Sequence, residues 1–240
     1  MARKPNYGID APGVIRNFFV ASAVCFGLAL GVRSLTIGHV HLDFYPGLLY
    51  SAAWFALPGI LMLIYSLVGK FRHRDRILAK VPWTGAEAVL DVGAGRGLLL
   101  IAAAKHLTTG HATGIDIWNA EDLSGNVPQA LLANISLEGV ADKTTVKSED
   151  ARQMSFADES FDVVLSNLCL HNIYEQPGRL KACREIARVM KKGGLAVISD
   201  YKLVAEYTGE FRACGMTVEM FPRDWVGTFP PLRILVARKT

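Results

Sequence analysis

Apolar residues follow two different patterns along the 240 residues of the chain. Before about residue 70 they form two long, uninterrupted runs. From about Val81 onward they form short runs rich in valine and isoleucine, which alternate with segments of helical periodicity. The first pattern is typical of long apolar helices, and the second is typical of an alternating α/β fold.

Both long runs approach or exceed the roughly 20 residues that cross a bilayer. Residues 17–32 carry no charge and lie between Arg16 and Arg33, and residues 44–69 contain no charge at all. The first run reaches spanning length if the two flanking arginines extend to the interfaces. We therefore predict a transmembrane hairpin with helices at about 14–36 and 44–69, which could also join copies of the chain into a homo-oligomer.

Three other interpretations of the two runs remain open. A signal peptide is disfavoured, because about a dozen residues separate Arg3 and Lys4 from the first run and a second run follows. The runs could instead be a buried helical hairpin of a soluble protein. They could also lie in the membrane interface, since Pro46 and Pro58 could break the second helix, although proline is tolerated in membrane helices whose neighbours satisfy the freed backbone groups.

Basic residues flank the hairpin on one side only. They precede the first run and directly follow the second, whereas the loop 33–43 is nearly neutral; the basic positions are Arg3, Lys4, Lys70, Arg72, Arg74 and Arg76. The positive-inside rule then predicts both termini and the following domain in the cytoplasm. The formal net charge of +4 is too small to indicate a nucleic-acid partner.

Residues 77–240 are predicted to form a separate domain after a hairpin of residues 1–76. Its strand–helix alternation predicts a doubly wound, mainly parallel sheet of seven strands. The last two strand candidates are joined by too few residues for a crossover helix, so the sheet should end in an antiparallel pair. The strand candidates are 88–92, 112–117, 144–147, 161–166, 195–199, 217–221 and 232–238, and the helix candidates are 98–107, 128–138 and 177–190.

The stretch VLDVGAGRG, Val89 to Gly97, joins the first of these strands to a helix. Its glycines allow a ligand to approach the backbone closely, and ligands of open α/β sheets bind at the carboxyl ends of strands. Asp116 ends the next strand and could accept hydrogen bonds from ribose hydroxyls. Asp150 follows the third strand and could accept the exocyclic amine of an adenine. The glycine spacing is G-x-G-x-G, with Leu98 in place of the third glycine of a dinucleotide fingerprint, which disfavours NAD.

These motifs give residues 81–240 a family resemblance. The segment resembles class I S-adenosylmethionine-dependent methyltransferases, and most of all the small-molecule branch that includes ubiquinone/menaquinone-biosynthesis and arsenite methyltransferases. The matching stretches are 89–97, 116–117, 149–151, 155–164 and the turn at 188–194, where Lys192 replaces the usual proline. Four scattered cysteines do not reproduce the cysteine set of the arsenite enzymes, and we predict no metal site.

The resemblance implies S-adenosylmethionine (SAM) as the cofactor and in-line displacement at its methyl group. In such a reaction the protein contributes mainly proximity and alignment. The residues that the resemblance and the strand tips assign to the cofactor are Asp91, Gly93, Ala94, Gly95, Gly97, Asp116, Ile117, Trp118, Asp150, Ala151 and Asn167.

The stretch SNLCLHNI, Ser166 to Ile173, ends the fourth strand of the predicted sheet. Asn167 could position the methionyl moiety or the acceptor, and His171 could act as a general base, since imidazole titrates near neutral pH. Asp200 and Tyr201, at the end of the fifth strand, could face the acceptor. The stretch lacks the Asn/Asp-Pro-Pro-aromatic sequence of nucleobase and glutamine N-methyltransferases, which argues against those substrates.

We therefore predict a membrane-anchored methyltransferase for a small or lipid-like acceptor. Methylation of a soluble amine or thiol, methylation of a protein, and a non-catalytic cofactor-binding role in regulation remain alternatives.

Overall fold

The structure is a computed structural model that describes residues 4–240. Seven strands form the central sheet: β3 (Ala88–Val92), β4 (His111–Asp116), β5 (Thr144–Ser148), β6 (Phe161–Asn167), β7 (Met190–Asp200), β8 (Met216–Met220) and β9 (Arg233–Lys239). Their order is β5-β4-β3-β6-β7-β9-β8. Strands β3 to β7 are parallel, and β9 lies antiparallel between β7 and β8. The predicted seven-stranded sheet with its antiparallel ending is confirmed.

Helices cover both faces of the sheet. The helices of this part of the chain are α3 (Lys70–Leu78), α4 (Leu98–Ala104), α5 (Pro128–Leu137), α6 (Gln176–Val189) and α7 (Val204–Ala213). Side chains of α3, α4 and α5 pack in one apolar core, and those of α6 and α7 pack in a second core on the opposite face. Strands buried on both faces are continuous apolar runs, which is why β3 and β6 are apparent in the sequence.

Two features of this region differ from the prediction. Helix α7 was not predicted. The segment 190–194, predicted as part of a turn, belongs to β7, where Met190 pairs with Phe161 and the backbone bends at Gly193, whose φ is 77°. Because glycine adopts this positive φ without strain, the otherwise extended strand can bend at this position.

The predicted apolar hairpin is present as two antiparallel helices, α1 (Pro12–Gly31) and α2 (Tyr45–Ile64). Both are long and apolar enough to cross a membrane, by length and composition. The hydroxyl of Ser22 in α1 donates to the carbonyl of Ala52 in α2 at 2.8 Å, and Gly59 leaves room for the ring of Phe19.

The first apolar helix ends earlier than predicted. Helix α1 stops at Gly31 rather than near residue 36, because the following residues form a β-hairpin of β1 (Ser34–Ile37) and β2 (Val40–Asp43). Gly38, with a φ of 62°, lies in the turn between the β-branched residues Ile37 and Val40, which end and begin the two strands.

The second helix does not end at residue 69 either. Helix α2 passes through a π-helical turn, Tyr65–Gly69, directly into α3. The basic stretch predicted as a flank is therefore helical, and its residues Lys70, His73 and Ile77 are buried against the rest of the protein. The division at residue 76 stays a prediction, and this position lies inside α3.

The segment before α1 also packs on the α/β part of the chain. The backbone N–H of Asn6 donates to the side chain of Asn134 at 2.9 Å, and the Tyr7 hydroxyl donates to Glu138 at 2.7 Å. Ile9 exchanges hydrogen bonds with Ser124. Residues 6–11 thus form a strap across the carboxyl edge of the sheet, beside the glycine loop.

Candidate functional site

The glycine loop, residues 93–97, turns sharply between β3 and α4. Gly93, Gly95 and Gly97 all have positive φ, at 77°, 55° and 88°. The N–H groups of Gly93 and Ala94 both donate to the carbonyl of Ile115 in β4, at 2.9 and 3.0 Å. Only glycine fits at position 93, because an added Cβ would overlap the side chain of Cys169.

Asp91 lies beneath this loop and is 1% exposed. Its carboxylate accepts the backbone N–H of Leu100 at 2.9 Å, which ties the first turn of α4 to β3. Burial raises the pKa of Asp91 to about 7, against the opposing effect of the Leu100 hydrogen bond. A cation bound nearby would favour the ionised carboxylate.

Asp116 organises the far side of the loop. Its two oxygens accept the N–H of Gly95 at 2.8 Å and the N–H of Trp118 at 2.6 Å, and the Asn126 amide donates to it at 3.2 Å. The carboxylate therefore lies at the tip of β4 beside the glycine backbone, where the sequence places a ribose acceptor.

The residues after Asp116 form one wall of the site. Ile117 is 65% exposed. Trp118 has a φ of 63°, and its indole N–H donates to the Ser148 hydroxyl at the end of β5 at 2.7 Å. This bond joins the tips of β4 and β5 and leaves the apolar Ile117 side chain free to contact a flat ligand such as adenine.

Asp150 has a neighbour that sequence reasoning missed. Arg152 forms an ion pair with it at 2.6 Å and donates further hydrogen bonds to both of its oxygens. These bonds hold the pKa of Asp150 below its ordinary value. The contact of Asp150 and the buried Ala151 with adenine stays a prediction, and it requires the carboxylate to share its oxygens with Arg152.

The tips of β6 and β7 bring together the other predicted residues. Nδ1 of His171 lies 2.8 Å from the carboxylate of Asp200, which is fully buried. The backbone N–H of Tyr201 donates to the same carboxylate at 2.8 Å, and the Tyr201 ring packs edge-on against the imidazole at a centroid distance of 4.7 Å. Asp200, which the sequence places with Tyr201 facing the acceptor, is therefore the neighbour of His171, a contact that was not predicted.

Cys169 and Asn167, which precede His171 in the chain, also face the site. Cys169 packs against Gly93, and burial raises the pKa of its thiol well above the ordinary value, assisted by the carboxylates of Asp116 and Asp200. A thiol in this state is a poor nucleophile. The side-chain oxygen of Asn167 is buried and has no hydrogen-bond partner among the described residues.

Sequence reasoning missed the contribution of the N-terminal region to this site. Tyr65 and Ser66, in the π-helical turn, are both buried, and the Ser66 hydroxyl donates to Asp10 in the strap at 2.9 Å. Two polar side chains at the end of a long apolar run are a local signal that this part of the helix contacts protein polar groups.

A cavity of about 380 Å³ lies apart from the glycine loop. It opens between α3 and the segment that joins β8 to β9, and it is lined in part by Arg76, Lys80, Phe221 and Leu232. His73 separates it from β7, where the imidazole Nε2 lies 2.6 Å from the Ser199 hydroxyl. The cavity is not part of the strand-tip site.

The strand-tip residues fit SAM in shape and charge. The bare backbone of the loop accommodates close approach by a ligand, Asp116 can accept ribose hydroxyls, and Asn167 offers an unused buried oxygen. Around the Cys169 sulfur, the carboxylates of Asp91, Asp116 and Asp200 create a negative potential that suits a sulfonium cation.

Comparisons with known proteins agree with this fit. Residues 90–198 match the family model described as a methyltransferase domain. The chain is 31% identical to a demethylmenaquinone methyltransferase of Lactiplantibacillus plantarum (54% of this chain, 52% of that protein). It is 32% identical to the ubiquinone/menaquinone biosynthesis C-methyltransferase UbiE of Bdellovibrio bacteriovorus (50% and 48%).

The solved structures show the same fold. A SAM-dependent methyltransferase from Aquifex aeolicus superposes with a TM-score of 0.54 at 20% identity, over 68% of this chain and 88% of that one. The fold is therefore Rossmann-like, and residues 90–198 within it match a methyltransferase domain. The family model and the fold imply SAM as the cofactor. The chain spans about half the length of the curated relatives that it matches, between 39% and 63%.

Replacing Asp116 with alanine should weaken SAM binding about 10- to 100-fold, the equivalent of losing hydrogen bonds to a charged acceptor. Isothermal titration of the full chain in detergent measures the change. Asp142→Ala is the matched control, since it removes an exposed carboxylate before β5, at the opposite edge of the sheet. Equal affinities of wild type and Asp116→Ala for SAM would contradict the ribose role.

Proposed function

We propose that this protein is a membrane-anchored methyltransferase that moves the methyl group of SAM to a small, lipid-like acceptor. The observation that carries the proposal is the continuity of one helix: α2, through its π-helical turn and α3, joins the apolar hairpin directly to the strand tips that hold the glycine loop and the His171–Asp200 pair. An acceptor dissolved in the membrane would then lie close to the catalytic domain.

Exposure of the hairpin supports the membrane location. In the most apolar stretch of the first helix only 11% of the residues are buried against protein, and in that of the second helix 28% are. Tyr50 and Trp54 are 78% and 75% exposed. A core helix of a soluble protein would bury these side chains, whereas a bilayer would cover them. The flanking charges support an orientation with both termini and the domain in the cytoplasm.

The names of the relatives support the acceptor class. One is named a demethylmenaquinone methyltransferase, and another a ubiquinone/menaquinone biosynthesis C-methyltransferase. These quinones are lipid-soluble, and a compound of this kind partitions into the membrane that the hairpin would occupy.

The chemistry at the strand tips follows from the His171–Asp200 pair. Bound SAM supplies an electrophilic methyl group. Asp200 lies 2.8 Å from Nδ1 of His171, close enough to stabilise the imidazolium that forms when Nε2 accepts a proton from the hydroxyl or amine of the acceptor. The Tyr201 ring packs against the imidazole of His171 and limits its rotation. Asn167, at the end of β6, pairs with Ser199 in β7, next to Asp200.

Carbonate washing and flotation of isolated membranes test the anchor. We expect wild type to stay with the lipid and the double variant Val20→Lys/Val24→Lys to be released, because each lysine at mid-bilayer costs roughly 3 kcal/mol. Both valines are 55% exposed on one face of α1. Val226→Lys is the control, since Val226 is 99% exposed outside the hairpin. Release of wild type by carbonate would contradict the anchor.

Methyl transfer from labelled SAM tests the acceptor class. The full chain in lipid vesicles is offered a prenylated naphthoquinol, and in parallel soluble amines, thiols and a protein mixture. We expect label in the lipid-extracted quinol. Label found only in a soluble amine or thiol, or only in protein, would replace the proposed acceptor, and SAM binding without any transfer would support the non-catalytic alternative.

A further inference from the structure

The second hairpin helix places an unpaired hydroxyl inside the methyltransferase site. Tyr65 is 4% exposed, and its hydroxyl has no hydrogen bond of normal geometry with any described residue. Burying such a group without a partner costs free energy that a bound ligand would recover. The hydroxyl interacts with the side chain of Asn167, but not in the geometry of a normal hydrogen bond, and the Asn167 oxygen is itself buried without a partner among the described residues.

The local backbone is shaped to bring Tyr65 to this position. The residue begins the π-helical turn, which widens the helix and changes the direction in which its side chain projects. Gly69 makes room for it, because a Cβ there would come within 2.9 Å of the tyrosine ring and 3.0 Å of the Gly227 carbonyl. Such π-helical turns frequently occur at functional sites.

The charges around the two unpaired oxygens are negative. The carboxylates of Asp10 and Asp200 lie close enough to act on the Tyr65 hydroxyl. The ammonium of Lys70 is already occupied, since it donates to the carbonyls of Tyr7 and Gly8 at 2.9 and 2.6 Å and lies 3.5 Å from Asp10. A cationic group that donates hydrogen bonds would therefore satisfy both oxygens.

We propose that Tyr65, together with Asn167, receives the cationic methionyl end of SAM, so that the hairpin helix completes the cofactor site. The methionyl end carries an ammonium group, which can donate to the two oxygens, and a sulfonium, which the surrounding negative charge stabilises. Its carboxylate must then point away from Asp10 and Asp200. The inference rests on the SAM-binding domain and is independent of the acceptor and of membrane insertion. It gives the hairpin a second role beyond anchoring.

Calorimetric titration of the full chain with three ligands tests this assignment. Tyr65→Phe removes one oxygen and keeps the buried ring. We expect its affinity for SAM to fall about tenfold, while its affinity for 5′-methylthioadenosine, which lacks the amino-acid end and the charge, stays unchanged. S-adenosylhomocysteine keeps the ammonium but not the sulfonium. A matching loss with this ligand assigns Tyr65 to the ammonium, and a loss with SAM alone assigns it to the sulfonium.

Tyr50→Phe is the matched control, because Tyr50 lies on the same helix and is 78% exposed. It should bind all three ligands as wild type does. The proposal is overturned if Tyr65→Phe binds SAM within twofold of wild type. It is also overturned if the affinities for all three ligands fall equally, since that result would show a general loss of structure.

Discussion

Replacing His171 with glutamine is expected to lower the rate constant of methyl transfer about 100-fold or more while leaving the affinity for SAM nearly unchanged. Glutamine can still donate a hydrogen bond toward Asp200, but it cannot take a proton from the acceptor. General bases contribute on the order of 10²- to 10⁴-fold to rate. The measurement is kcat with labelled SAM and the acceptor that the vesicle assay identifies, together with calorimetric SAM binding.

A second measurement separates proton transfer from positioning. If His171 takes a proton in the rate-limiting step, the wild-type rate should fall in D2O, and that of His171→Gln should not. His106→Gln is the control, because His106 stacks on Trp83 at 4.9 Å, away from the strand tips. A kcat of His171→Gln within threefold of wild type would refute the assignment of His171 as base, and an equal effect of D2O on both rates would restrict it to positioning the acceptor.

The sheet and its loop could be predicted because their signals are local. Strands such as β3 and β6 are buried on both faces and form compact apolar runs, and the glycine loop follows directly on one of them. The antiparallel ending could be predicted from the short link between its last two strands. Helix α7 was missed although Val204, Tyr207 and Phe211 lie at helical spacing and are buried. This helical period is short and lies between two segments of strand pattern, β7 and β8.

The partners of the predicted site residues could not be found in the same way. Asp200 and His171 are 29 residues apart, and the distance between the strap residue Asp10 and Ser66 is 56 positions. Neither pairing leaves a periodic pattern in the sequence, because each arises where different elements meet at the edge of the sheet. Tyr65 was counted as one more apolar residue of a spanning helix. Its significance depends on the π-helical turn, which no propensity in the segment YSLVG indicates.

The short β-hairpin between the two apolar helices was missed for another reason. Its strands have only four residues each, and the loop was interpreted by charge alone. Thr36 and Ile37 before Gly38, with Val40 after it, form a recognisable turn pattern. The pattern was outweighed by the helical continuation expected from the apolar run.

Gly93→Ala is expected to destabilise the protein by about 2–5 kcal/mol and to abolish measurable SAM binding. Alanine pays roughly 1–2 kcal/mol for positive φ, and overlap of its Cβ with Cys169 adds about 1–3 kcal/mol, typical of overpacking. Relief of this overlap would displace the loop whose Gly93 N–H donates to Ile115. Denaturant unfolding in detergent and calorimetric SAM titration measure the two effects.

Gly139→Ala isolates the backbone part of this cost. Gly139 has a φ of 69°, similar to that of Gly93, but an added Cβ there meets nothing within 4 Å. We expect it to lose only about 1–2 kcal/mol and to bind SAM normally. The double variant Gly93→Ala/Cys169→Gly removes the overlapping side chain and should regain stability relative to Gly93→Ala. If Gly93→Ala lowers the free energy of unfolding no more than Gly139→Ala does, contact with Cys169 does not constrain the loop. In that case the conformation of the glycine loop is set by φ alone.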